Sequence, residues 1–339
     1  MIQEAIQQAL ERKDFTREEA REVMNEIFSG DTTPAQIAGF LVALRAKGET
    51  ADEIAGCAEA MRDHVVHVRP QRTDLVDTAG TGGDGQRTIN ISTAAALVAA
   101  AAGAGVAKHG NRAASSATGS ADVLEALGFN LDLEPERIAQ SIDELGFGFM
   151  FAQAHHPAMK HAGPVRRELA TRTIFNILGP LTNPAGARCQ VIGVYAEELV
   201  RPIAEALVQL GSHRAFVVHG AGGLDELSPV GPNTVCEVRD GAVTERTIDP
   251  IDLGVPRCTV DDLRGGDPAE NAAAIREIFQ GGNGGKRNAI LLNAAGAIAA
   301  AGLAEDLAEG LAIARETLAS RAADERLDQL IAFSQAVPA

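Results

Sequence analysis

Over the first 65 residues apolar side chains recur every three or four positions, as in Ile37, Leu41 and Leu44 or Ile54, Cys57, Ala58 and Met61. That spacing gathers one face of an α-helix. Three Ser/Thr-x-x-Glu/Gln signals punctuate the region: Thr16 to Glu19, Thr33 to Gln36 with Pro34 at the first helical position, and Thr50 to Glu53. In each, the hydroxyl and the fourth side chain satisfy backbone N–H groups that a helix start leaves open. The pattern predicts a small helical bundle over 1–66, with its stripes serving as ordinary core. So short a bundle has little core of its own, and one stripe is expected to bury against a second copy of the chain.

From Leu75 the pattern changes to short apolar runs alternating with Ala-rich stretches. Leu75 to Asp77, Val106 to Lys108, Gln190 to Tyr195 and Ala215 to His219 read as strands. Alternation of this kind predicts an α/β domain with a mainly parallel sheet. Thr234 to Ile248, with Asp240-Gly241 between two β-prone runs, reads as a hairpin on that sheet. Ala94 to Ala102 reads as a helix ended by Gly103 and Gly105. Pro164 to Ile177 reads as one further helix, stopped by the glycine and prolines of Leu178 to Pro184 and packing back on the bundle. The expected division is therefore a helical domain, 1–66 completed by 164–184, and an α/β domain, 73–163 and 185–339.

Composition narrows the function. The 339 residues are 45% apolar and carry a formal charge of −16, which disfavours nucleic acid and anionic membranes as partners. No run of about 18 apolar residues is present to span a bilayer. The N-terminal segment, with Glu4, Glu11, Arg12 and Lys13, is unlike a signal peptide; a cytoplasmic protein is expected. Cys57, Cys189, Cys236 and Cys258 lie far apart with no C-x-x-C pair, so reduced thiols are expected rather than disulfides or structural zinc.

Two glycine-rich loops carry the chemistry, each between an apolar strand and a helical run. The first, Gly80-Thr-Gly-Gly-Asp-Gly85, matches G-x-G-x-x-G, yet about 20 residues on, where a dinucleotide fold wants an acid, stand Lys108 and His109. It also lacks the Lys-Ser/Thr that follows a P-loop. What survives is the physics: glycines admit backbone N–H groups to phosphate oxygens, and a helix beginning near Asn90-Ile-Ser-Thr93 directs its positive end at the same place. Thr88, Asn90, Ser92 and Thr93 add donors. Asp84 would repel phosphate, so it shapes the loop or meets a cation. The second loop, Lys108-His-Gly-Asn-Arg-Ala-Ala-Ser-Ser116, adds Lys108 and Arg112 as cations, Asn111 as an amide and Ser115, Ser116 and Ser120 as donors before a helix starting near Ala121. Two such cradles face a doubly phosphorylated substrate. After the strand ending at His219, Asp225 and Glu226 lie in the loop Gly220 to Ser228, and adjacent carboxylates near phosphates suit Mg²⁺.

Asp77-Thr-Ala-Gly-Thr-Gly-Gly-Asp84, Asn90-Ile-Ser-Thr93, Lys108-His-Gly-Asn-Arg112, Gly119-Ser-Ala-Asp122, Val165-Arg-Arg-Glu-Leu169, Arg172 to Pro184 and Asp225-Glu226 occur in an order that resembles the anthranilate phosphoribosyltransferase family over nearly the whole chain. Ile89 stands where that family commonly has Phe, and Ala170 where Gly often follows. The resemblance implies transfer of phosphoribosyl from phosphoribosyl pyrophosphate to anthranilate with Mg²⁺, in tryptophan biosynthesis; the homodimer through the helical domain is expected from the small core of the bundle alone. It implies that Gly80, Gly83, Asp84, Thr88, Asn90, Ile91, Ser92, Thr93, Lys108, His109, Gly110, Asn111, Arg112, Ala113, Ala114, Ser115, Ser116 and Ser120 hold the donor. Gly80, Asn111 and Arg166 would contact anthranilate, and Ser92, Asp225 and Glu226 the metal. An aromatic amine is already neutral at pH 7, so no strong base is needed, and His109 is the one candidate if there is one. A pyrimidine nucleoside phosphorylase, which shares the fold, has a different second loop. A nucleic-acid-binding relative would want a basic face.

Overall fold

The computed structural model describes residues 1–113 and 118–336. The chain begins with helices α1 (Ile2–Leu10), α2 (Arg17–Ser29), α3 (Pro34–Lys47) and α4 (Ala51–Asp63). All three anticipated start signals close as reciprocal capping pairs, Thr16 with Glu19, Thr33 with Gln36 and Thr50 with Glu53.

Strands β1 (Leu75–Gly80), β2 (Gly105–Gly110), β3 (Phe147–Phe151), β4 (Cys189–Gly193), β5 (Arg214–His219), β6 (Asn233–Arg239) and β7 (Ala242–Ile248) form one sheet in the order β3-β2-β1-β4-β5-β6-β7. The first five are parallel, and β6 and β7 add antiparallel at the edge. Asp240 and Gly241 both take positive φ, 52° and 79°, the turn geometry that matches strand twist in a two-residue hairpin. The winding reverses between β1 and β4, and the crevice beyond the C-terminal strand ends at such a point is where open α/β sheets bind ligands.

Helices α5 (Ile91–Ala101), α6 (Ser120–Ala126), α7 (Pro135–Leu145), α8 (Ala152–His155), α9 (Met159–Leu169), α10 (Phe175–Leu178), α11 (Val200–Gln209), α12 (Pro268–Phe279), α13 (Gly285–Ala300), α14 (Leu307–Ala319) and α15 (Ala322–Gln335) complete the chain. Strand alternation sends Val76, Val106, Val191, Phe216 and Val218 to one face, under α5, α13, α14 and α15. On the other face Ile192, Val194, Ala215 and Val217 join a core shared with α11, the bundle and α9 to α10. Phe28 of α2 packs edge-on against Phe175 of α10 at 6.1 Å.

Two local expectations are corrected and one strand is added. Gly105 does not end α5; it opens β2, while Gly103, at φ 108°, makes the turn. Strand β3 arises from Phe147-Gly-Phe-Met-Phe151, an apolar run without alternation because both its faces are covered. The single helix expected over Pro164 to Ile177 is two: α9 starts earlier, carries Pro164 inside, and stops where Ala170 turns left-handed at φ 46°; α10 follows after a break. A left-handed residue breaks the helical bond ladder whatever the periodicity around it.

Candidate active site

The first loop leaves β1 at the switch point and is held on three sides. Thr81 N–H donates to Gly193 O at 2.8 Å and its hydroxyl accepts from Tyr195 N–H at 3.1 Å. Gly82 N–H donates to Asp225 Oδ2 at 2.7 Å. Arg172 Nη2 donates to Gly83 O, and its guanidinium stacks 4.1 Å from the Tyr195 ring centroid. Gly80 and Gly193 are required by this closeness: a Cβ on Gly80 would sit 2.5 Å from Asp225 Oδ2, and one on Gly193 only 1.5 Å from Asp225 O. Asp84 does shape the loop, since its Oδ1 accepts from Gln86 N–H at 3.0 Å.

At the start of α5, Asn90 occupies the cap position without capping; its amide instead donates to Thr118 O and accepts from Asn271 Nδ2, both at 3.0 Å. Ser92 N–H donates to Glu226 Oε1 at 3.1 Å. Ile91 and Thr93 are buried in the α5 packing, so only their backbones can meet a ligand. Thr88 forms an antiparallel bridge with Arg264.

In the second loop Lys108 does not project to solvent. It is 1% exposed, and its Nζ donates to Thr78 O and to Thr78 Oγ1, the latter at 3.3 Å. Burial pushes its pKa down, opposed by Asp77 and Glu226. Asp77 accepts from His109 N–H at 3.1 Å and from Asn183 Nδ2 at 2.8 Å, and burial pushes its carboxyl up to about 6. Gly110 admits Ser120, whose Oγ would lie 2.2 Å from a Cβ there. Asn111 N–H donates to that Oγ at 3.2 Å. Arg112 turns to Asp122 and Glu125, at 3.0 and 2.8 Å, and Ala113 N–H also donates to Asp122. Ala114, Ser115 and Ser116 lie outside the described residues.

His109 forms a pair that sequence reasoning did not see. A carbonyl can only accept, so the 3.1 Å contact to Gly179 O puts the proton on His109 Nδ1. Its Nε2 then accepts from His156 Nε2–H, also at 3.1 Å, which leaves His156 Nδ1 buried without a partner among the described residues. Burial, reinforced by the neighbouring ring, pushes His109 down to about 3; His156, buried beside His155, falls to about 4. Both rings are neutral at pH 7.

Asp225 and Glu226, in the loop after β5, lie within electrostatic reach of Asp84 from the first loop. Burial, with Asp84 and Glu226 close by, holds Asp225 well above the usual carboxylate range. Burial pushes Glu226 up to about 7, with Asp84 adding to the rise and Lys108 and Ser92 opposing it. Lys108 is one positive charge against several negative ones, a donor set that fits a hard divalent cation. Among the described residues no three His, Cys, Asp or Glu side chains converge as a self-sufficient metal cage. Magnesium fits such a half-site, since it keeps waters and takes substrate phosphates beside one or two carboxylates. On the far side, Arg166 of α9 stacks 5.2 Å from the Phe175 ring centroid and pairs with no carboxylate among the described residues. Burial lowers its pKa, so a bidentate anion would find it under-compensated.

The structure thus brings the two loops, Asp225 and Glu226 to one edge. Lys108, Arg112 and Asn90 are engaged within the protein. Arg172, His156, Asp77 and Asn271 were not singled out from sequence; Asp77 and Arg172 stood within quoted motifs, but nothing in their spacing revealed their partners.

Comparison with known proteins bears on this geometry. The family described as "Glycosyl transferase family, a/b domain" matches residues 72–324, and "Glycosyl transferase family, helical bundle domain" matches residues 3–65. The chain is 55% identical over 339 residues to the anthranilate phosphoribosyltransferase of Anaeromyxobacter sp. (strain K), covering 100% of both. The crystal structure of anthranilate phosphoribosyltransferase from Thermus thermophilus superimposes with a TM-score of 0.93 at 49% identity, covering 98% of this chain and 99% of that one. The Saccharomyces cerevisiae enzyme, solved in complex with PRPP and Mg, gives 0.88 at 27% identity, covering 99% and 98%.

Proposed function

The chain belongs to the anthranilate phosphoribosyltransferase family, and from that premise we propose how it works: it transfers the 5-phosphoribosyl group of phosphoribosyl pyrophosphate to the amine of anthranilate, releasing pyrophosphate, as a step of tryptophan biosynthesis. The observation that carries the reading is the placement of Asp225 and Glu226 against the N–H groups of Gly82 and Ser92, at the mouth between the two glycine-rich loops.

The donor lies across the switch point. Gly80, Gly83, Asp84, Thr88 and the 90–93 segment meet one phosphate group, and Lys108 to Ser116 with Ser120 the other. Lys108 acts from beneath, through the field it sets up with Thr78, rather than as a direct surface cation. Magnesium held by Asp225, Glu226 and Ser92 would supply Lewis-acid stabilisation of the departing pyrophosphate. The C1–N bond forms as the C1–O bond breaks, with the electron pair leaving on pyrophosphate oxygen. Arg166 pairs with the anthranilate carboxylate, Asn111 and Gly80 border the ring, and the amine is positioned for attack on C1. His109 is not the base in this scheme: a group with a pKa near 3 and its Nε2 lone pair occupied by His156 is a poor acceptor at neutral pH. The amine's proton leaves after bond formation.

The same reading takes the helical domain as 1–66 with 164–184 and the rest as the donor domain. It makes the protein a homodimer through α1 and α3, which pack together and leave Leu10 and Val42 exposed, at 62% and 46%. Four free cysteines, two of them buried, support a reducing, cytoplasmic setting.

The test is anthranilate fluorescence followed over time with phosphoribosyl pyrophosphate and Mg²⁺, beside a metal-free mixture and Asp225→Asn/Glu226→Gln. Loss of signal only in the complete wild-type mixture is expected. A flat trace from folded wild-type protein would discard anthranilate as the acceptor.

A further inference from the structure

A strap of chain far from both glycine-rich loops in sequence pairs with the segment that follows the first and reaches Thr118, which follows the second. Residues 263–266 run antiparallel to residues 87–89: Ile89 N–H donates to Leu263 O at 3.0 Å, Gly265 N–H donates to Arg87 O at 2.8 Å, and Thr88 bridges Arg264. Gly265 is what permits the approach, because a Cβ there would stand 2.9 Å from Ile89 Cα and 2.6 Å from Asn271 Oδ1. The strap leads into α12, on which Asn271 is 2% exposed.

Asn271 belongs to a closed circuit of four hydrogen bonds. Gly266 N–H donates to Asn271 Oδ1 at 2.8 Å. Asn271 Nδ2 donates to Asn90 Oδ1 at 3.0 Å, and Asn90 Nδ2 donates to Thr118 O at 3.0 Å. Thr118 Oγ1 returns to Gly266 O at 2.9 Å. Each amide uses its oxygen on one side and its nitrogen on the other, so the circuit fixes which way both point. It also joins the start of α5, which follows the first loop, to Thr118, which leads into α6 after the second.

We propose that Asn271 is a positioning residue for the phosphoribosyl donor, its buried amide locking the two glycine-rich loops into one register through Asn90 and Thr118. The inference rests on the donor-site reading given above. A buried amide whose partners are all backbone or amide groups gives direction without charge, and its bond to Asn90 is lost if its donor is replaced by an acceptor. The donor is the ligand that bridges the two loops, so its binding carries the effect. Anthranilate touches the loops only along its ring, at Gly80 and Asn111, and its charge is met by Arg166 outside both, so it depends less on their register.

The experiment titrates phosphoribosyl pyrophosphate with Mg²⁺ calorimetrically into the full-length protein, and separately measures turnover with anthranilate. Asn271→Asp keeps shape and acceptor and loses the donor; Thr118→Val opens the circuit from its other side. Asn271→Asp is expected to weaken donor binding about tenfold, the size of one net hydrogen bond. The KM for anthranilate and kcat should stay within about twofold. Thr118→Val should act in the same direction, and the double variant should bind little worse than Asn271→Asp alone, because both break one circuit. If Asn271→Asp does not fold, Thr118→Val decides. Donor affinity unchanged in folded variants, additive effects, or kcat and both KM values falling together would each overturn the proposal, as would a wild-type protein that binds no donor. A wild type that binds the donor yet does not consume anthranilate would sink the acceptor assignment and leave the Asn271 comparison readable from binding alone.

Discussion

Asp225 Oδ2 accepts the Gly82 N–H at 2.7 Å across 143 residues of chain, so the acidic loop after β5 and the glycine turn after β1 form one body. The bond directs a carboxylate into the very loop expected to bind phosphate, and Asp84 and Glu226 stand beside it. Without a cation between them, these groups repel one another and the phosphates alike.

That repulsion sets a pH dependence. The folded-state pKa of Glu226, about 7, lies above its ordinary 4.5, and Asp225 is raised too. The folded protein therefore holds more protons than the unfolded chain between about pH 4.5 and 7, and these groups remove stability as pH rises through that window. The part of this destabilisation that Glu226 contributes is complete once pH passes about 7, and Asp225 adds to it in the same direction. Magnesium must displace those protons to bind. The expected outcome in thermal melts is a larger Mg²⁺-induced shift at pH 8 than at pH 5.5, and an Asp225→Asn/Glu226→Gln protein that melts higher than wild type at pH 8 without responding to the metal. Equal metal shifts at both pH values would contradict this.

The His109–His156 pair yields a ranking. His109→Ala opens a cavity beside Gly179 and frees His156 but removes no base, so kcat should fall less than about tenfold. Removing the metal-facing carboxylates should cost about a hundredfold or more, the scale of electrostatic stabilisation in a dry site. The pH profile of kcat/KM should also keep its shape in His109→Ala. A limb that vanishes with His109, or a His109 variant deader than the double carboxylate variant, would restore the imidazole as a base.

Sequence carried the helix starts well because a capping pair is local: Thr50 and Glu53 need only each other. It carried strands whose neighbours alternate, and the Asp240-Gly241 hairpin, for the same reason. It did not carry Lys108, because lying at a strand end beside a glycine does not say whether an ammonium turns out to ligand or in to Thr78. Arg112 likewise reads as a phosphate cation until Asp122 and Glu125, a helix later, are seen to claim it. Asn271 was silent, since its partners come from residues 90 and 266 and no spacing encodes a ring closed in three dimensions.

Ala170 offers a stability test. Its φ of 46° costs an L-residue roughly 1–2 kcal/mol relative to glycine, while glycine adds about 0.4–1 kcal/mol of unfolded-state entropy. Ala170→Gly should therefore stabilise by about 0.5–1 kcal/mol, visible as a melting temperature higher by a degree or two. Activity should be unaltered, because the side chain is exposed. A lower melting temperature would mean that Ala170 gains more from its surroundings than its backbone loses.

Arg172 ties the first loop to the segment between α9 and α10. Its guanidinium holds Gly83 O while lying over Tyr195, and Tyr195 N–H in turn holds Thr81. Phosphate binding by a glycine turn needs N–H groups facing inward and carbonyls facing elsewhere, and a cation claiming the Gly83 carbonyl serves the second requirement. Arg172→Ala should raise the KM for phosphoribosyl pyrophosphate roughly fivefold to tenfold, with kcat at saturating donor within about threefold. Arg172→Lys, which keeps the charge but loses the planar stack, should fall between. Tyr195→Phe keeps the ring face and should behave as wild type, whereas Tyr195→Leu should shift donor KM in the direction of Arg172→Ala. A donor KM unmoved by Arg172→Ala, with only kcat reduced, would instead place the guanidinium on the reacting groups and not on the loop.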